Sequence, residues 1–428
     1  MSSPMITPTP TASRFPPLPL RTRGALAVGR VAASASRLAK RGHGGVVGGT
    51  VALKLDPDAL PLLARGRTTA LVSGSNGKST TAALLAAAVS RLGPTAYNEN
   101  GSNMASGLVV ALEAAREAPY AVLETDESYL GPVTQATRAR AIALLNLSRD
   151  YLERGVRYKP LARHWRETLE AVDWPLTVVA NADDPIVTWA ARGADDVVWV
   201  AGGDQWSEDG AICRDCIVKL EREGERWWCE SCGRERPEPS WRLAGGIAEG
   251  PGISISLELS VPGRMNEHNA VFALVAAMAV GVDPQEAAAA MATVGNVDGR
   301  YNRRNVDGRH VRLILAKNPA SWQESIAIAA ESGDALVFHL TARGDFNSKD
   351  ASLAWDAPLE RLAGRDTVAT GYRASDMALR LEVAGLKVKR VRDPVEAILA
   401  SPPGPVSVIG NYPAFLDLRD RLDVLDAT

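Results

Sequence analysis

The sequence contains no hydrophobic run long enough to cross a lipid bilayer, because Arg, Glu or Gly interrupts even its Ala-rich stretches. A spanning helix needs about 18 consecutive apolar residues. The chain also lacks an excess of charge of either sign, since 48 basic residues face 50 acidic ones and the net charge is -2. These absences predict that the chain has no transmembrane segment and that nucleic acid is not its main partner.

Cysteine is scarce as well, and the whole sequence contains only four. They form two knuckles separated by twelve residues, Cys213-x-x-Cys216 and Cys229-x-x-Cys232. Two knuckles at this separation indicate a tetrahedral Cys₄ site, which is the closed coordination of structural zinc. With no open position, the predicted Zn²⁺ is structural and not catalytic.

Two alternatives to a structural zinc site remain. Disulfides would use the same cysteines, but the phosphate-binding signal described below is typical of ATP chemistry in a reducing cytosol. A nucleic-acid-binding ribbon would need a basic surface, whereas the flanks of these knuckles mix acids and bases. We expect the adjacent Trp227 and Trp228 to cover the small core of the ribbon instead of stacking on bases.

The N-terminal part predicts no core of its own. The first 20 residues are rich in Pro, Ser and Thr, which predicts a disordered tail. The next stretch, RTRGALAVGRVAASAS, predicts a basic amphipathic helix, and Arg30 divides its apolar part in a way that disfavours a signal peptide. Such a helix also suits an anionic membrane surface, a hypothesis that would place a cytoplasmic chain at the inner face of the membrane.

The strongest chemical signal is the loop GSNGKST, which lies between the strand pattern TALVS and an Ala- and Leu-rich helical stretch. Its glycines let backbone N–H groups converge on a phosphate, its lysine neutralises charge, and the next hydroxyl can reach Mg²⁺. A plain glycine turn is the alternative, but Asn-Gly-Lys-Ser-Thr has no packing reason to stand there. The residues predicted to bind ATP in this loop are Gly74, Ser75, Asn76, Gly77, Lys78, Ser79 and Thr80.

The loop is not a standard Walker A motif, which would need glycine where the chain has Val72. Its shortened form resembles that of the Mur ligase and folylpolyglutamate synthase superfamily. In LETDES, Glu124 stands where the family has an acidic residue for magnesium. In NLSRDYLERG, Asp150 falls on the acidic position of an Asn-Leu-x-x-Asp-His-Leu segment, although Tyr151 replaces the histidine.

Further motifs follow in the order of the family. NADDP, residues 181–185, matches a family signature that comes after a strand. The segment GRMNEHNAVFALVAAMA places His268 and Asn269 on a family His-Asn pair whose asparagine contacts adenine, and VDGRYNRR places Arg300 on a nucleotide-contacting arginine. Each of these residues alone would be an ordinary surface or strand-end residue, but the ordered series favours the functional interpretation.

The cysteine insertion narrows the resemblance to one branch of the superfamily, because the stand-alone ligases lack it. The usual Asp-Tyr-Ala-His segment is also missing from the C-terminal part. In its place, LILAKNPASWQES, TARGDFNSKDASLAWD and GYRASDMALRLEVAG resemble the C-terminal domain of a branch that amidates lipid II. The resemblance extends from about residue 44 to near the C-terminus.

This resemblance implies a reaction and its participants. Lys78, together with Mg²⁺ held through Ser79 and Glu124, would neutralise charge as the γ-phosphoryl group of ATP passes to the α-carboxylate of D-glutamate in the lipid II stem peptide. Ammonia would then displace phosphate from the acyl phosphate and leave D-isoglutamine.

The source of ammonia follows from the cysteines together with the resemblance. A class I glutaminase needs a nucleophilic Cys, and all four cysteines are assigned to the metal site. The resemblance therefore implies a separate partner of the GatD type that supplies Cys and His. An Asp of this chain would orient that His; the candidates in KDASLAWD are Asp350, which we favour, and Asp356.

Alternating strand and helix patterns predict an α/β fold, with a parallel P-loop ATPase domain followed by a Rossmann-like domain and nucleotide in the cleft between them. The expected domains are a tail and basic helix at 1–41, the ATP domain at 42–300 with a ribbon at about 205–240, and a C-terminal domain at 301–428. Two rival functions stay open. One is a stand-alone ligase that adds an amino acid, and the other is a non-catalytic nucleotide-binding scaffold.

Overall fold

A computed structural model describes the chain over residues 15–38, 45–99, 101–148, 158–203, 208–260, 263–295, 301–341 and 352–426. Three of the predicted site residues, Asp150, Arg300 and Asp350, lie outside these stretches. The Pro-rich residues 1–14 and the expected domain boundary at residue 300 also lie outside them. Within the described residues, no helix is both long and apolar enough to span a membrane.

Six strands form the first sheet. They are β1 (Thr68–Ser73), β2 (Thr95–Tyr97), β3 (Tyr120–Glu124), β4 (Ala141–Leu144), β5 (Thr177–Asn181) and β6 (Asp196–Val200). All of them run parallel, in the order β2-β3-β1-β4-β5-β6. Parallel strands covered on both faces need no alternation of polar and apolar residues, which is why TALVS and AIAL are continuously apolar or small.

Helices cover both faces of this sheet, and successive side chains of β1 divide between them. Val72 points into a core formed with α4 and α9, whereas Leu71 points into a second core on the opposite face. The helices of this domain are α1 (Leu20–Leu38), α2 (Gly45–Leu55), α3 (Ala59–Ala64), α4 (Lys78–Val89), α5 (Ala105–Ala114), α6 (Leu130–Thr137), α7 (Tyr158–Glu170), α8 (Pro185–Ala191), α9 (Arg264–Ala279) and α10 (Pro284–Met291).

The predicted basic helix is confirmed as α1, which packs on α2. The two helices cross at glycines: a Cβ atom on Gly29 would lie 2.5 Å from the carbonyl oxygen of Gly48. At the start of α1, the buried Thr22 hydroxyl donates to Asp56 Oδ2 at 2.6 Å. These contacts fix one face of α1 against the domain and leave the other exposed.

Two small antiparallel sheets lie between β6 and α9. The strands β7 (Glu221–Glu223) and β8 (Arg226–Trp228) form a hairpin within the cysteine-rich insertion. A three-stranded sheet follows, made of β9 (Arg242–Ala244), β10 (Ile247–Gly250) and β11 (Ile253–Ser256).

The C-terminal domain has a second six-stranded sheet in the order β12-β13-β17-β14-β15-β16. Its strands are β12 (Tyr301–Val306), β13 (Arg309–Leu315), β14 (Ala335–His339), β15 (Asp366–Thr370), β16 (Lys387–Arg390) and β17 (Gly404–Gly410). The accompanying helices are α11 (Pro319–Glu331), α12 (Ala374–Val383), α13 (Pro394–Leu399) and α14 (Tyr412–Asp426). Only the edge strand β12 is antiparallel to its neighbour.

The predicted fold class, a parallel ATPase-type sheet followed by a Rossmann-like domain, is confirmed, as is the strand predicted at TALVS, which is β1. The sequence YNRRNV has no apolar strand pattern, yet it forms β12. Its pairing with β13 explains why, because this polar edge sequence is extended only beside a neighbouring strand.

His339, the last residue of β14, is buried, and burial lowers its pKa to about 4 because the imidazolium is poorly solvated there. An unfolded histidine titrates near pH 6.5. Between these two values, the unfolded chain binds a proton that the folded domain does not. The free energy of unfolding therefore falls as the pH drops from about 6.5 to about 4.

Replacing His339 with Gln should remove this dependence. Relative to wild type, the loss of stability between pH 7 and pH 4.5 should be smaller by about 2.5 kcal/mol, as measured by denaturant unfolding at both pH values. His310→Gln, at an exposed position of β13, is the matched control and should leave the slope as it is. A wild-type slope in His339→Gln would contradict the assignment.

Candidate active site and metal centre

The predicted phosphate loop leaves β1 and enters α4. Gly74 and Gly77 have φ values of +150° and +84°, which side-chain-bearing residues rarely adopt. The loop is held by the segment after β4. The backbone N–H groups of Ser75 and Asn76 donate to the carbonyl and side-chain oxygens of Asn146 at 2.9 and 2.8 Å, and Asn146 Nδ2 donates back to Asn76 O at 3.0 Å.

Lys78 is the first residue of α4, and its side chain is almost fully buried. Its Nζ donates to Gly74 O at 2.5 Å and forms an ion pair with Glu127 Oε2 at 3.0 Å. Glu127 is also buried. The two charges compensate each other in a place where either one alone would be costly. Ser79 and Thr80 complete the first turn of the helix.

Glu124 ends β3 directly beside the phosphate loop, since the strand register pairs it with Val72. Its side chain is buried; Oε1 accepts a hydrogen bond from Asn103 Nδ2 at 3.1 Å, and Oε2 has no partner among the described residues. A buried carboxylate oxygen without a donor is unfavourable unless a cation binds it. Oxygen ligands suit Mg²⁺, so Glu124 and the Ser79 hydroxyl fit that ion.

His268 and Asn269 lie in the first turns of α9, and both are buried. Asn269 lies against the phosphate loop, since a Cβ atom on Gly77 would be 2.7 Å from its Oδ1. His268 lies against the segment after β6, since a Cβ atom on Gly203 would be 2.5 Å from its Nε2. Burial lowers the pKa of His268, which favours the neutral ring.

The NADDP segment links β5 to α8. Asp184 caps α8 by accepting from Ile186 N and Val187 N, and its second oxygen accepts from Leu147 N at 2.8 Å. Burial raises the pKa of this carboxyl to about 6. Asp184 therefore ties the end of β4, which supports the phosphate loop, to the start of α8.

The four cysteines come together as predicted, and their sulfur atoms all lie within 4.8 Å of one another. Cys213 Sγ and Cys232 Sγ are 3.7 Å apart. Sulfur atoms bound tetrahedrally to zinc at about 2.3 Å would be separated by about 3.8 Å. The cluster therefore has the donor set and the spacing of a zinc site.

The two knuckles have matching backbones. Cys213 N donates to Val218 O at 2.7 Å, and the corresponding Cys229 N donates to Arg234 O at 2.7 Å. The residue after each knuckle has positive φ, at +59° for Ile217 and +69° for Gly233.

Arg234 provides a second indication of a metal. Its side chain is buried, and none of its guanidinium nitrogens has a hydrogen-bond partner among the described residues. Burial lowers its pKa, and the thiol of Cys213 opposes that shift. Zinc bound to four thiolates carries a net charge of −2, which would compensate this buried cation.

Two known domain families match parts of the chain. The Mur ligase middle domain family model matches residues 72–277, and the MurT ligase C-terminal model matches residues 315–415. The MurT subunit of the lipid II isoglutaminyl synthase (glutamine-hydrolyzing) from Streptococcus pneumoniae is 25% identical in an alignment of 425 positions that covers 90% of this chain and 94% of that one. The chain is therefore similar to MurT subunits of the Mur ligase superfamily in both its middle and its C-terminal parts.

Solved structures agree on the fold. A pseudomurein peptide ligase type C from Methanothermus fervidus has a TM-score of 0.63 and 17% identity, covering 84% of this chain and 79% of that one. The MurF ligase from Thermotoga maritima in complex with ADP has a TM-score of 0.56 and 16% identity, covering 88% of this chain and 84% of that one. At these identities, the likeness to the solved structures shows the fold alone.

Sequence reasoning missed three residues of the site. Glu127, the ion-pair partner of Lys78, was visible only as the second glutamate of LETDES. Asn146, the first residue of NLSRD, was quoted but given no role, although it holds the phosphate loop. Asp184 had a signal in NADDP, because Asp before Pro is a common helix N-cap.

The two knuckle turns allow a direct test of the zinc site. A β-branched residue with positive φ is strained, so Ile217→Gly should stabilise the metal-bound ribbon by about 1 kcal/mol, a roughly fivefold tighter hold on zinc. Gly233→Ala should weaken zinc binding, because alanine is strained at this positive φ. The strain is confined to the backbone, since a Cβ atom at residue 233 would meet nothing within 4 Å. Zinc transfer to a colorimetric chelator measures both. Equal retention in both variants, or no bound zinc, would contradict the assignment.

Proposed function

We propose that this chain is the synthetase subunit of a glutamine-dependent ligase that uses ATP to amidate the α-carboxylate of D-glutamate in the lipid II stem peptide, giving D-isoglutamine. The observation that carries the proposal is a complete phosphate loop beside the unpaired carboxylate oxygen of Glu124, in a chain matched over most of its length by MurT subunits. The absent Asp-Tyr-Ala-His segment counts against the stand-alone ligase.

The residues of the loop can perform the phosphoryl transfer in a defined way. Backbone N–H groups at the start of α4 face the phosphates, and Lys78 contributes its charge next to them. Ser79 and Glu124 would hold Mg²⁺, which supplies charge neutralisation on the transferring group. Because Lys78 is paired with Glu127, its ammonium is held in place before nucleotide arrives.

The remaining nucleotide contacts follow from α9. Asn269 lies against Gly77, so an adenine bound near this asparagine would share a wall with the phosphate loop. His268 forms the adjacent wall beside Gly203. We assign Asp150 and Arg300 to the same nucleotide, Asp150 as an acidic contact and Arg300 from the junction to the C-terminal domain.

Ammonia comes from a separate GatD-type glutaminase. The four cysteines of the chain are gathered in one cluster, which leaves no thiol as a glutaminase nucleophile. We propose that Asp350 orients the partner's histidine. Asp356 is the alternative; it is exposed and follows the short 3₁₀ turn Ser352–Trp355.

Amidation of lipid II by the purified chain with ATP and ammonium chloride tests the synthetase role. We expect conversion of the carboxylate to the amide, detected by mass spectrometry. Lys78→Met should lower the rate by about 10²–10³-fold, as loss of one preorganised charge contact does. Lys54→Met, at an exposed lysine of α2, is the matched control.

The nitrogen donor that supports turnover distinguishes the candidate functions. Glutamine alone should support amidation only when the glutaminase partner is added. Turnover with an amino acid and none with ammonia would favour the stand-alone ligase. If no turnover occurred under any of these conditions, even with the partner present, the result would favour the non-catalytic nucleotide-binding scaffold.

We also propose that α1 places the protein at the inner face of the membrane, where lipid II is found. Opposite its buried face, α1 exposes an apolar stripe, with Val31 71% and Leu38 87% exposed. A row of arginines at a spacing of seven residues flanks that stripe, formed by Arg23, Arg30 and Arg37. An apolar stripe bordered by arginines fits an anionic lipid surface.

Vesicle binding tests this surface. Each arginine near an anionic membrane contributes about 1 kcal/mol, so Arg23, Arg30 and Arg37 together should favour phosphatidylglycerol vesicles over phosphatidylcholine ones by roughly 100-fold at low salt. Val31→Glu with Leu38→Glu should abolish binding in a sedimentation assay. Val383→Glu, at an exposed position of α12, should not. Undiminished binding of the double variant would contradict this role of α1.

A further inference from the structure

At least three side-chain hydrogen bonds among the described residues attach the cysteine-rich ribbon to the central domain. Trp227 Nε1 donates to Ala182 O at 3.2 Å, and Arg236 Nε donates to Asp183 Oδ1 at 2.6 Å. The third, from Trp189 of α8 to Asp215, involves more exposed side chains. The first two contacts end on consecutive residues of the NADDP segment, so the ribbon is fastened to one short loop.

Asp183 transmits this contact further into the domain. While Oδ1 accepts from Arg236, Oδ2 accepts from the backbone N–H of Gly203 at 2.9 Å. Both side chains of the ion pair are buried, with 9% of Arg236 and 14% of Asp183 exposed. A buried carboxylate that loses its cation is left uncompensated, so Asp183 depends on Arg236 for its position.

Gly203 in turn bounds the candidate nucleotide site. It leaves room for no side chain, since its Cβ atom would lie 2.5 Å from His268 Nε2. The next residue of α9, Asn269, lies against Gly77 of the phosphate loop. One turn of α9 therefore touches the phosphate loop on one side and, on the other, the backbone that Asp183 holds.

We propose that Arg236 is a positioning residue through which the zinc ribbon holds the Gly203 backbone against His268, so that zinc binding and nucleotide binding stabilise each other. The inference rests on the proposed function, because it takes His268 and Asn269 as walls of the nucleotide site. Coupling between two sites is reciprocal. Zinc must therefore tighten nucleotide binding by the same factor by which nucleotide tightens zinc binding.

Arg236→Met tests the link without touching a cysteine. We expect it to keep its zinc, measured by metal analysis, and to bind ADP about tenfold more weakly in calorimetry, a factor within the usual range of coupling between sites. In the amidation assay, the KM for ATP should rise while kcat changes little. Arg222→Met, at an exposed position of the same ribbon, is the matched control and should bind ADP like wild type.

Two further measurements separate positioning from general destabilisation. Arg236→Lys keeps the charge next to Asp183 and should recover part of the ADP affinity. Because the two residues act as a pair, Asp183→Asn combined with Arg236→Met should bind ADP no more weakly than the weaker single variant. Additive losses would show that the residues act separately and would overturn the proposal.

The wild-type protein provides a test that needs no variant. At equilibrium, saturating ADP should reduce the share of zinc that passes to a competing chelator, and the zinc-depleted protein should bind ADP more weakly than the zinc-loaded form. Zinc loss that is indifferent to ADP would overturn the proposal even if Arg236→Met failed to fold. If the wild type bound no ADP at all, the proposed function itself would fail; ADP binding of equal affinity in wild type and Arg236→Met would end only this inference.

Discussion

The parallel register of β1 with β3 and β4 is the constraint on which the site depends. Strands that run the same way bring their carboxyl ends to one edge of the sheet, where ligands of such folds bind. The register pairs Val72 with Glu124 and Ser73 with Leu144. The phosphate loop therefore leaves the sheet between a carboxylate and the segment of Asn146. A slip of one residue would turn Glu124 to the opposite face and remove it from the loop.

Two buried ion pairs fix the positions of side chains around the candidate active site. The pair of Lys78 and Glu127 and the pair of Arg236 and Asp183 are both shielded from solvent. Such pairs add little net stability, because desolvation offsets their attraction, but losing one partner is strongly destabilising. Their physical effect is to restrict each side chain to one position. One pair holds the ammonium at the phosphate loop, and the other holds Asp183, which accepts a hydrogen bond from the backbone of Gly203.

The core of the cysteine-rich ribbon and its attachment to the central domain share a side chain. Its core consists of Cys213, Leu220, Trp227 and Cys229, with Cys216 partly buried beside them. So small a cluster cannot compensate for the conformational entropy of the segment, and modules of this size ordinarily need a metal to fold. Trp227 belongs to this core and also donates to the central domain, so the ribbon's packing and its attachment depend on the same side chain.

Chemistry carried by residues close together in the chain was predictable from the sequence alone. GSNGKST and the two Cys-x-x-Cys knuckles are local patterns whose backbone requirements are met within a few residues, and the alternation of strand and helix patterns indicated a parallel sheet. Contacts between distant residues were decided only by the tertiary structure. Lys78 and Glu127 are 49 residues apart, and Arg236 and Asp183 are 53 apart. The sequence LETDES does not distinguish Glu124 from Glu127. In the fold, Glu124 ends β3 with one carboxylate oxygen unpaired among the described residues, whereas Glu127 forms the ion pair with Lys78. The sequence could not show this difference, because burial and strand register are properties of the fold.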